Sequence, residues 1–307
     1  MRIAIYGTGG VGAYLGGRLQ AGGHDVVFIA RGANLSALRN SGLRIKSMQG
    51  DLVLPVVSAT DDAASVGPVD VVVLGVKLHD LEQAAKALQP LLGHDTMVVP
   101  VQNGVDAADR LVAVLGTAPV VMGAAYVVSL LSGPGQVEHR SPFCRLVFAE
   151  LDGRPSRRCT NFAAVLNSSG VEASISTNIQ TDLWRKFIVL APFAAIACLT
   201  RANLGQILAH PPTQALLADA VSEVADVAAA RHVGLPEDIV SVTLRAMSAF
   251  PPASRPSMLA DLDAGRPLEL ESLSGAVVRF GKAAGVRTPV HDVAYRAISL
   301  HARGAPG

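Results

Sequence analysis

Hydrophobic and polar positions follow two alternating periods along the first half of the chain and a single period along the second. Arg2-Ile-Ala-Ile-Tyr6 and Asp25-Val-Val-Phe-Ile-Ala30 are short apolar runs, and between them Val11, Leu15 and Leu19 recur at helical spacing. Val69-Asp-Val-Val-Val-Leu74 and Thr96-Met-Val-Val-Pro-Val101 are near-continuous β-branched runs, the composition of strands buried on both faces. Leu81, Ala84, Ala85, Leu88 and Leu92 predict a helix over residues 80–92 that crosses one face of the sheet between those two strands. Strand and helix signals alternating in this way predict an α/β domain with a doubly wound parallel sheet. From Pro119 the pattern turns antiparallel: Val120-Val-Met-Gly-Ala, a Gly133-Pro-Gly135 turn, Gln136-Val-Glu-His139, then Arg145-Leu-Val-Phe148. These segments are expected to extend the far edge of the same sheet. Past about residue 176 strand signals stop and alanine- and leucine-rich helical stretches take over, clearest over 215–231 and 269–284 with a Pro251–Pro256 loop between them. The organisation expected is a dinucleotide-binding domain over residues 1–175 and an all-helical substrate or dimerisation domain over 176–307. His301–Gly307 is expected to fray.

The first strand runs directly into Gly7-Thr8-Gly9-Gly10-Val11-Gly12, a G-x-G-x-x-G pattern that opens the first helix. In a Rossmann-type domain Gly7 permits the tight turn, Gly9 lets a pyrophosphate approach the backbone, and Gly12 lets the helix pack on the strand. The first-turn N–H groups and the positive end of the helix dipole then face one anion. The alternative is a glycine-rich structural turn with no ligand. The second strand ends at Arg31, where an NAD-preferring site usually carries Asp or Glu to hold the ribose. A guanidinium there can pair with a 2′-phosphate and favours NADP(H) as cofactor; the alternative is a solvated loop arginine.

Composition narrows the partners. The chain has 307 residues, of which 50% are hydrophobic and 17% charged, with a net charge of +1. That balance leaves no electrostatic footprint for nucleic acid and points to small molecules or further copies of the chain. Cys144, Cys159 and Cys198 lie far apart without metal-ligand spacing, which argues for reduced thiols in a cytoplasmic protein and against zinc. A strand that begins beside Met1 leaves no room for a cleaved signal peptide. The longest apolar run, Phe187–Leu199, is interrupted by Pro192 and is too short to span a bilayer, so no membrane association is expected.

Several polar residues stand where chemistry is expected. Lys186 lies in Leu183-Trp-Arg-Lys-Phe-Ile-Val-Leu190, where a helix passes from polar to wholly apolar. Desolvation at such a border lowers a lysine pKa and suits it to proton donation; the alternative is a lysine that snorkels to water. Lys77 follows the Val71–Val76 strand, and Gln102-Asn103-Gly104 follows the next one, so both face the crevice at the carboxyl ends of the sheet. Each reads equally well as plain turn chemistry. Ser257 alone reads as a helix N-cap and Glu269 as a surface carboxylate.

Taken in order, Gly7-x-Gly9-x-x-Gly12, Arg31, Val76-Lys77, Gln102-Asn103-Gly104, Leu183-Trp-Arg-Lys186, Ser257-Met-Leu-x-Asp261 and Glu269 resemble the ketopantoate reductase (2-dehydropantoate 2-reductase) family nearly end to end. The resemblance implies an N-terminal Rossmann domain and a helical C-terminal domain, with NADPH and substrate in the cleft between them. It implies reduction of a 2-keto acid to a 2-hydroxy acid, with Lys186 as general acid and Glu269 in the active site. It also implies that Asn103, Lys77 and Ser257 contact substrate or cofactor. The chain departs from the family pattern at Leu190 and Ala194, four and eight residues after the lysine, where substrate-binding asparagines are typical; Ser254 also replaces a frequent asparagine. These changes make one wall of the expected substrate pocket apolar and point to a more apolar 2-oxo acid as the alternative substrate. A dinucleotide-binding regulator without turnover would keep the glycine loop and lose the acid, and retention of Lys186 and Glu269 speaks against it. The apolar C-terminal helices are compatible with a homodimer.

Overall fold

The structure, a computed structural model, describes residues 1–305 of the chain. Two compact units emerge: Met1–Gln102 with Ala107–Ile179, and Asn103–Asp106 with Gln180 onward. In chain order the first unit contains β1 (Arg2–Tyr6), α1 (Gly10–Ala21), β2 (Asp25–Ile29), α2 (Gly32–Ser41), β3 (Leu43–Ser47), β4 (Leu52–Leu54), β5 (Ser58–Thr60), β6 (Val69–Leu74), α3 (Leu81–Ala87) and β7 (Leu92–Pro100). It continues with α4 (Ala107–Leu115), β8 (Val121–Tyr126), β9 (Ser129–Gly133), β10 (Gln136–His139), β11 (Arg145–Glu150), α5 (Arg157–Ser168) and β12 (Glu172–Ile175).

Five of these strands form a parallel sheet in the order β5-β2-β1-β6-β7. From β1 the chain moves outward through β2 to β5, then returns to β6 and moves the other way to β7. The carboxyl ends of β1 and β6 therefore adjoin at the switch point of a doubly wound sheet, where such folds bind their ligands. The β-branched runs expected to be buried on both faces are so: Val71, Val72, Val73 and Leu74 are at most 2% exposed, and Met97, Val98 and Val99 are fully covered.

The later strands do not extend that sheet. β10 pairs in parallel with β3 and antiparallel with β9, giving a second sheet ordered β4-β3-β10-β9, and β12-β11-β8 form a third. Only a bridge between Val98 and Val120 continues from the edge strand β7. The strands β3, β4 and β5 are only five, three and three residues long, too short for periodicity to establish them. The helix expected over 80–92 is also shorter than its pattern. Leu81, Ala84, Ala85 and Leu88 are buried as the periodicity requires, but Pro90 follows in a 3-10 turn and β7 begins at Leu92.

The second unit is helical: α6 (Ile179–Thr200), α7 (Leu204–Ala209), α8 (Pro211–Ala230), α9 (Ile239–Ser248), α10 (Ser257–Asp263), α11 (Ser274–Ala284) and α12 (Pro289–Ile298). α6 passes through Pro192 without interruption, so the apolar run belongs to a continuous helix that is long and apolar enough to cross a membrane. Its apolar residues form the centre of the unit's core: Phe187, Ile188, Ala191 and Ala194–Ala197 are at most 1% exposed. The stretch expected to be helical from Glu269 enters its helix at Ser274, after a 3-10 turn over Leu270–Ser272 and a kink at Leu273 (φ −108°, ψ −99°). The chain end is tied down rather than frayed as far as Ala305. The Leu268 N–H donates to the Ala302 carbonyl (3.0 Å), and the Ala305 N–H to the Gly265 carbonyl (3.2 Å). Residues 306 and 307 of the stretch expected to fray lie outside the described residues.

Candidate active site

The glycine loop shows what each position requires. Gly7 has φ +95°, and a Cβ there would lie 2.5 Å from the Val76 nitrogen; a Cβ on Gly12 would lie 2.3 Å from the Gly7 carbonyl oxygen. Neither position admits a side chain, because the end of β6 and the first turn of α1 both press against the loop. At Gly9 a Cβ would meet nothing within 4 Å. The backbone there faces open space, and Gly9 is the N-cap of α1 with no side chain capping the first-turn N–H groups. A partly exposed helix N-terminus with no side-chain cap, beside an open backbone, fits a pyrophosphate, so the loop is suited to hold a dinucleotide.

The loop is fixed by residues that its own sequence does not reveal. The Thr8 hydroxyl, 6% exposed, donates to the Ile29 carbonyl (2.9 Å). Asn34 Nδ2 donates to the Thr8 carbonyl and its Oδ1 accepts from the Gly135 N–H, both at 2.8 Å. Ser129 Oγ donates to the Gly10 carbonyl (2.9 Å). Val11 is half-buried beside them on α1. Neither Asn34 nor Ser129 carries a sequence signal for this role, because their partners lie far along the chain. Arg31 is exposed at the end of β2, where the strand presents no carboxylate, and its guanidinium has no partner among the described residues. Lys77 is exposed after β6, and its carbonyl accepts the Asp80 N–H (2.9 Å). Gln102 is buried at the end of β7, with Nε2 donating to the Leu74 (2.8 Å) and Val76 (3.2 Å) carbonyls, so it clamps the neighbouring strand end.

In the helical unit Lys186 and Asn103 come together: the ammonium donates to Asn103 Oδ1 at 3.0 Å. Asn103 belongs to this unit although it follows the sheet's last strand in sequence. Lys186 is partly buried, and loss of water lowers its pKa from 10.5 to about 8, while the Glu269 carboxylate pulls it upward. Glu269 is 8% exposed, not the surface carboxylate that its isolated position in the sequence suggests. Neighbouring Leu268 and Leu270 are buried and carry it inward.

The remaining candidates are placed less uniformly. Ser257 is not the N-cap of α10: Pro256 holds that place in an extended conformation (φ −71°, ψ 152°) and its carbonyl accepts the Leu259 N–H (3.1 Å). Ser257 is the exposed first residue of the helix. Ser254 is half-buried in the proline loop, which it braces through its N–H to the Pro251 carbonyl (2.8 Å) and its carbonyl to the Leu204 N–H (3.0 Å). Leu190 is half-buried and packs against the helical core, whereas Ala194 has no exposed surface at all.

A family profile described as Ketopantoate reductase PanE/ApbA matches residues 3–153, and the profile for its C-terminal domain matches residues 178–302. The chain belongs to the ketopantoate reductase family. Its members are dinucleotide-dependent oxidoreductases acting on 2-keto acids. The 2-dehydropantoate 2-reductase of Mesorhizobium japonicum is 32% identical over 95% of this chain and 95% of its own. A PanE/ApbA family ketopantoate reductase from Ralstonia eutropha superposes with a TM-score of 0.90 at 33% identity, over 98% of both chains. D-mandelate dehydrogenase, solved with NADH and anilino(oxo)acetate, superposes with a TM-score of 0.89 at 25% identity, again over 98% of both.

The open space at Gly9 separates binding from folding. Gly9→Ala is expected to lower the melting temperature by only about 2–4 °C, the cost of a poorer N-cap, while weakening dinucleotide binding by roughly tenfold or more, since its methyl group fills the open space beside the loop backbone. Fluorescence titration beside a thermal melt checks both halves.

Proposed function

We propose that the chain is an NADP(H)-dependent reductase of a 2-oxo acid, acting as a 2-dehydropantoate 2-reductase or on a related acid with a more apolar tail. The observation that carries the reading is the partly desolvated Lys186 ammonium, bonded to Asn103 and kept charged by Glu269. A bound nicotinamide dinucleotide supplies a hydride to the substrate's carbonyl carbon. The Gly7–Gly12 backbone with Thr8, Gly10 and Val11 would hold its pyrophosphate, Arg31 its 2′-phosphate, and Lys77 and Asn103 would make further contacts near it. As negative charge gathers on the carbonyl oxygen, Lys186 donates its proton there. Asn103 aims the ammonium, and Glu269 keeps it protonated against the cost of burial. Ser257 and Ser254 would bind the substrate's polar groups. The same reading places the protein in the cytoplasm, where three buried thiols remain reduced.

A second reading concerns the substrate alone. Leu190 stands half-buried one helical turn beyond the acid, and D-mandelate dehydrogenase shows that a similar chain can serve a 2-hydroxy acid other than pantoate.

The proton donor is active only when protonated, so kcat/KM for keto-acid reduction should be flat below pH 8 and fall tenfold per unit above it. Glu269→Gln removes a charge that raises this pKa and should move the falling limb to lower pH. Lys186→Ala should lower kcat by roughly 10²–10⁴ with dinucleotide binding retained. A wild-type turnover in that variant would assign the proton to another group.

Arg31→Ala should weaken NADPH binding by roughly tenfold to a hundredfold and leave NADH nearly untouched, as expected for one lost ion pair worth about 1.5–3 kcal/mol. Equal losses for the two cofactors would show that Arg31 does not read the phosphate.

Ketopantoate should be reduced less efficiently than an apolar-tailed analogue such as 2-oxoisovalerate. Leu190→Asn should raise kcat/KM for ketopantoate by roughly tenfold, because a buried hydroxyl regains a partner worth about 1–3 kcal/mol. A wild type that already prefers ketopantoate, with no gain in the variant, would remove the apolar-wall reading.

A further inference from the structure

Asn103 sits on a short strap, residues 103–106, in which Gly104 adopts φ +106°, a conformation open to glycine because it lacks a Cβ, the same lack that makes it the most pliable residue. Its upstream neighbour Gln102 is clamped by the two bonds from Nε2 described above. At the downstream end Asp106 is 6% exposed, and Arg279 Nη2 on α11 donates to its Oδ2 at 3.0 Å. A carboxylate so covered needs a partner of fixed geometry.

Arg279 is itself held by the turn that precedes α11, which α12 braces in turn. Its Nη1 donates to the Glu271 carbonyl oxygen (2.8 Å) and reaches Glu271 Oε2 (3.4 Å), while the Tyr295 hydroxyl of α12 donates to Glu271 Oε1. The guanidinium carbon lies 5.8 Å from the centroid of the Phe280 ring. One planar fork thus spans the Asp106 carboxylate and the Glu271 backbone, a task that a lysine ammonium cannot reproduce from one point.

We propose that Arg279, oriented by Glu271 and Tyr295, is a positioning residue: through Asp106 it fixes the strap so that Asn103 Oδ1 stays on the Lys186 ammonium. Only the kinetic consequence rests on Lys186 being the proton donor; the placement does not.

The test uses the full-length protein and two variants that leave the network's formal charges nearly unchanged, Arg279→Lys and Tyr295→Phe, each alone and combined with Asn103→Ala. The first readout is the pH midpoint for acylation of Lys186, followed by peptide mass spectrometry without cofactor. The second is the split between kcat and KM for the 2-oxo acid, with the dinucleotide Kd. Glu269 is present in every variant, so its charge on Lys186 does not distinguish them. Arg279→Lys is expected to lower the midpoint, because the ammonium loses a well-placed acceptor, and to lower kcat by roughly tenfold to a hundredfold with the dinucleotide Kd unchanged. Tyr295→Phe is expected to move both in the same direction by less. In the Asn103→Ala background neither change should shift the midpoint further.

A wild-type midpoint in Arg279→Lys, or a shift that adds to that of Asn103→Ala, overturns the proposal. Should Arg279→Lys not fold, Tyr295→Phe carries the same comparison with the ion pair intact. A midpoint that moves as expected while kcat does not would uphold the placement and remove Lys186 as the proton donor.

Discussion

Two opposed forces act on one ammonium, and the proposed chemistry depends on their balance. Burial strips water from Lys186 and lowers its proton affinity toward neutrality, and the Glu269 carboxylate pulls the other way. Burial acting alone would lower the proton affinity further, and full hydration would return it toward the ordinary lysine value of 10.5. The balance depends on where α6 places the side chain. Trp184, Phe187 and Ile188 bury one side of the helix in the core, which leaves Lys186 at its edge rather than in water. Glu269 reaches the same region because Leu268 and Leu270 are drawn into that core on either side of it.

The glycine loop solves a different problem, that of holding backbone amides still. A peptide N–H stabilises an anion most when it is already aimed and need not reorganise. Gly7 and Gly12 allow the approach of β6 and of the loop's own carbonyl, but glycine by itself is the most pliable of residues. Stiffness comes from outside the motif: Thr8 is tied to the end of β2, Asn34 links Thr8 to the β9–β10 turn at Gly135, and Ser129 holds Gly10. The second sheet, of which the sequence pattern shows only the Gln136–His139 strand, therefore braces the glycine loop directly through β9.

Along α6 the proposed acid, Lys186, and the proposed substrate wall occupy successive turns, the next turn carrying Leu190. Ala194 is wholly buried, so an asparagine there would have to find its partners inside the core, whereas Leu190 keeps part of its surface. The likeness both to a ketopantoate reductase and to a D-mandelate dehydrogenase shows that one scaffold can accompany different named activities.

The sequence by itself determined the parallel sheet, the helical second half, the glycine loop and the identity of the lysine. Each of these is a property of contiguous residues: a β-branched run, a helical period, a backbone that only glycine adopts, or a cation at the border of an apolar stretch. Tertiary structure alone decided the second and third sheets, the burial of Glu269, and the loss of the N-cap role at Ser257. It also decided which side chains meet, because those meetings join residues remote in the chain. Asn103 and Lys186 are separated by 83 positions, Asn34 and Gly135 by 101, and Asp106 and Arg279 by 173. No local period encodes such distances; they are fixed only when the elements pack.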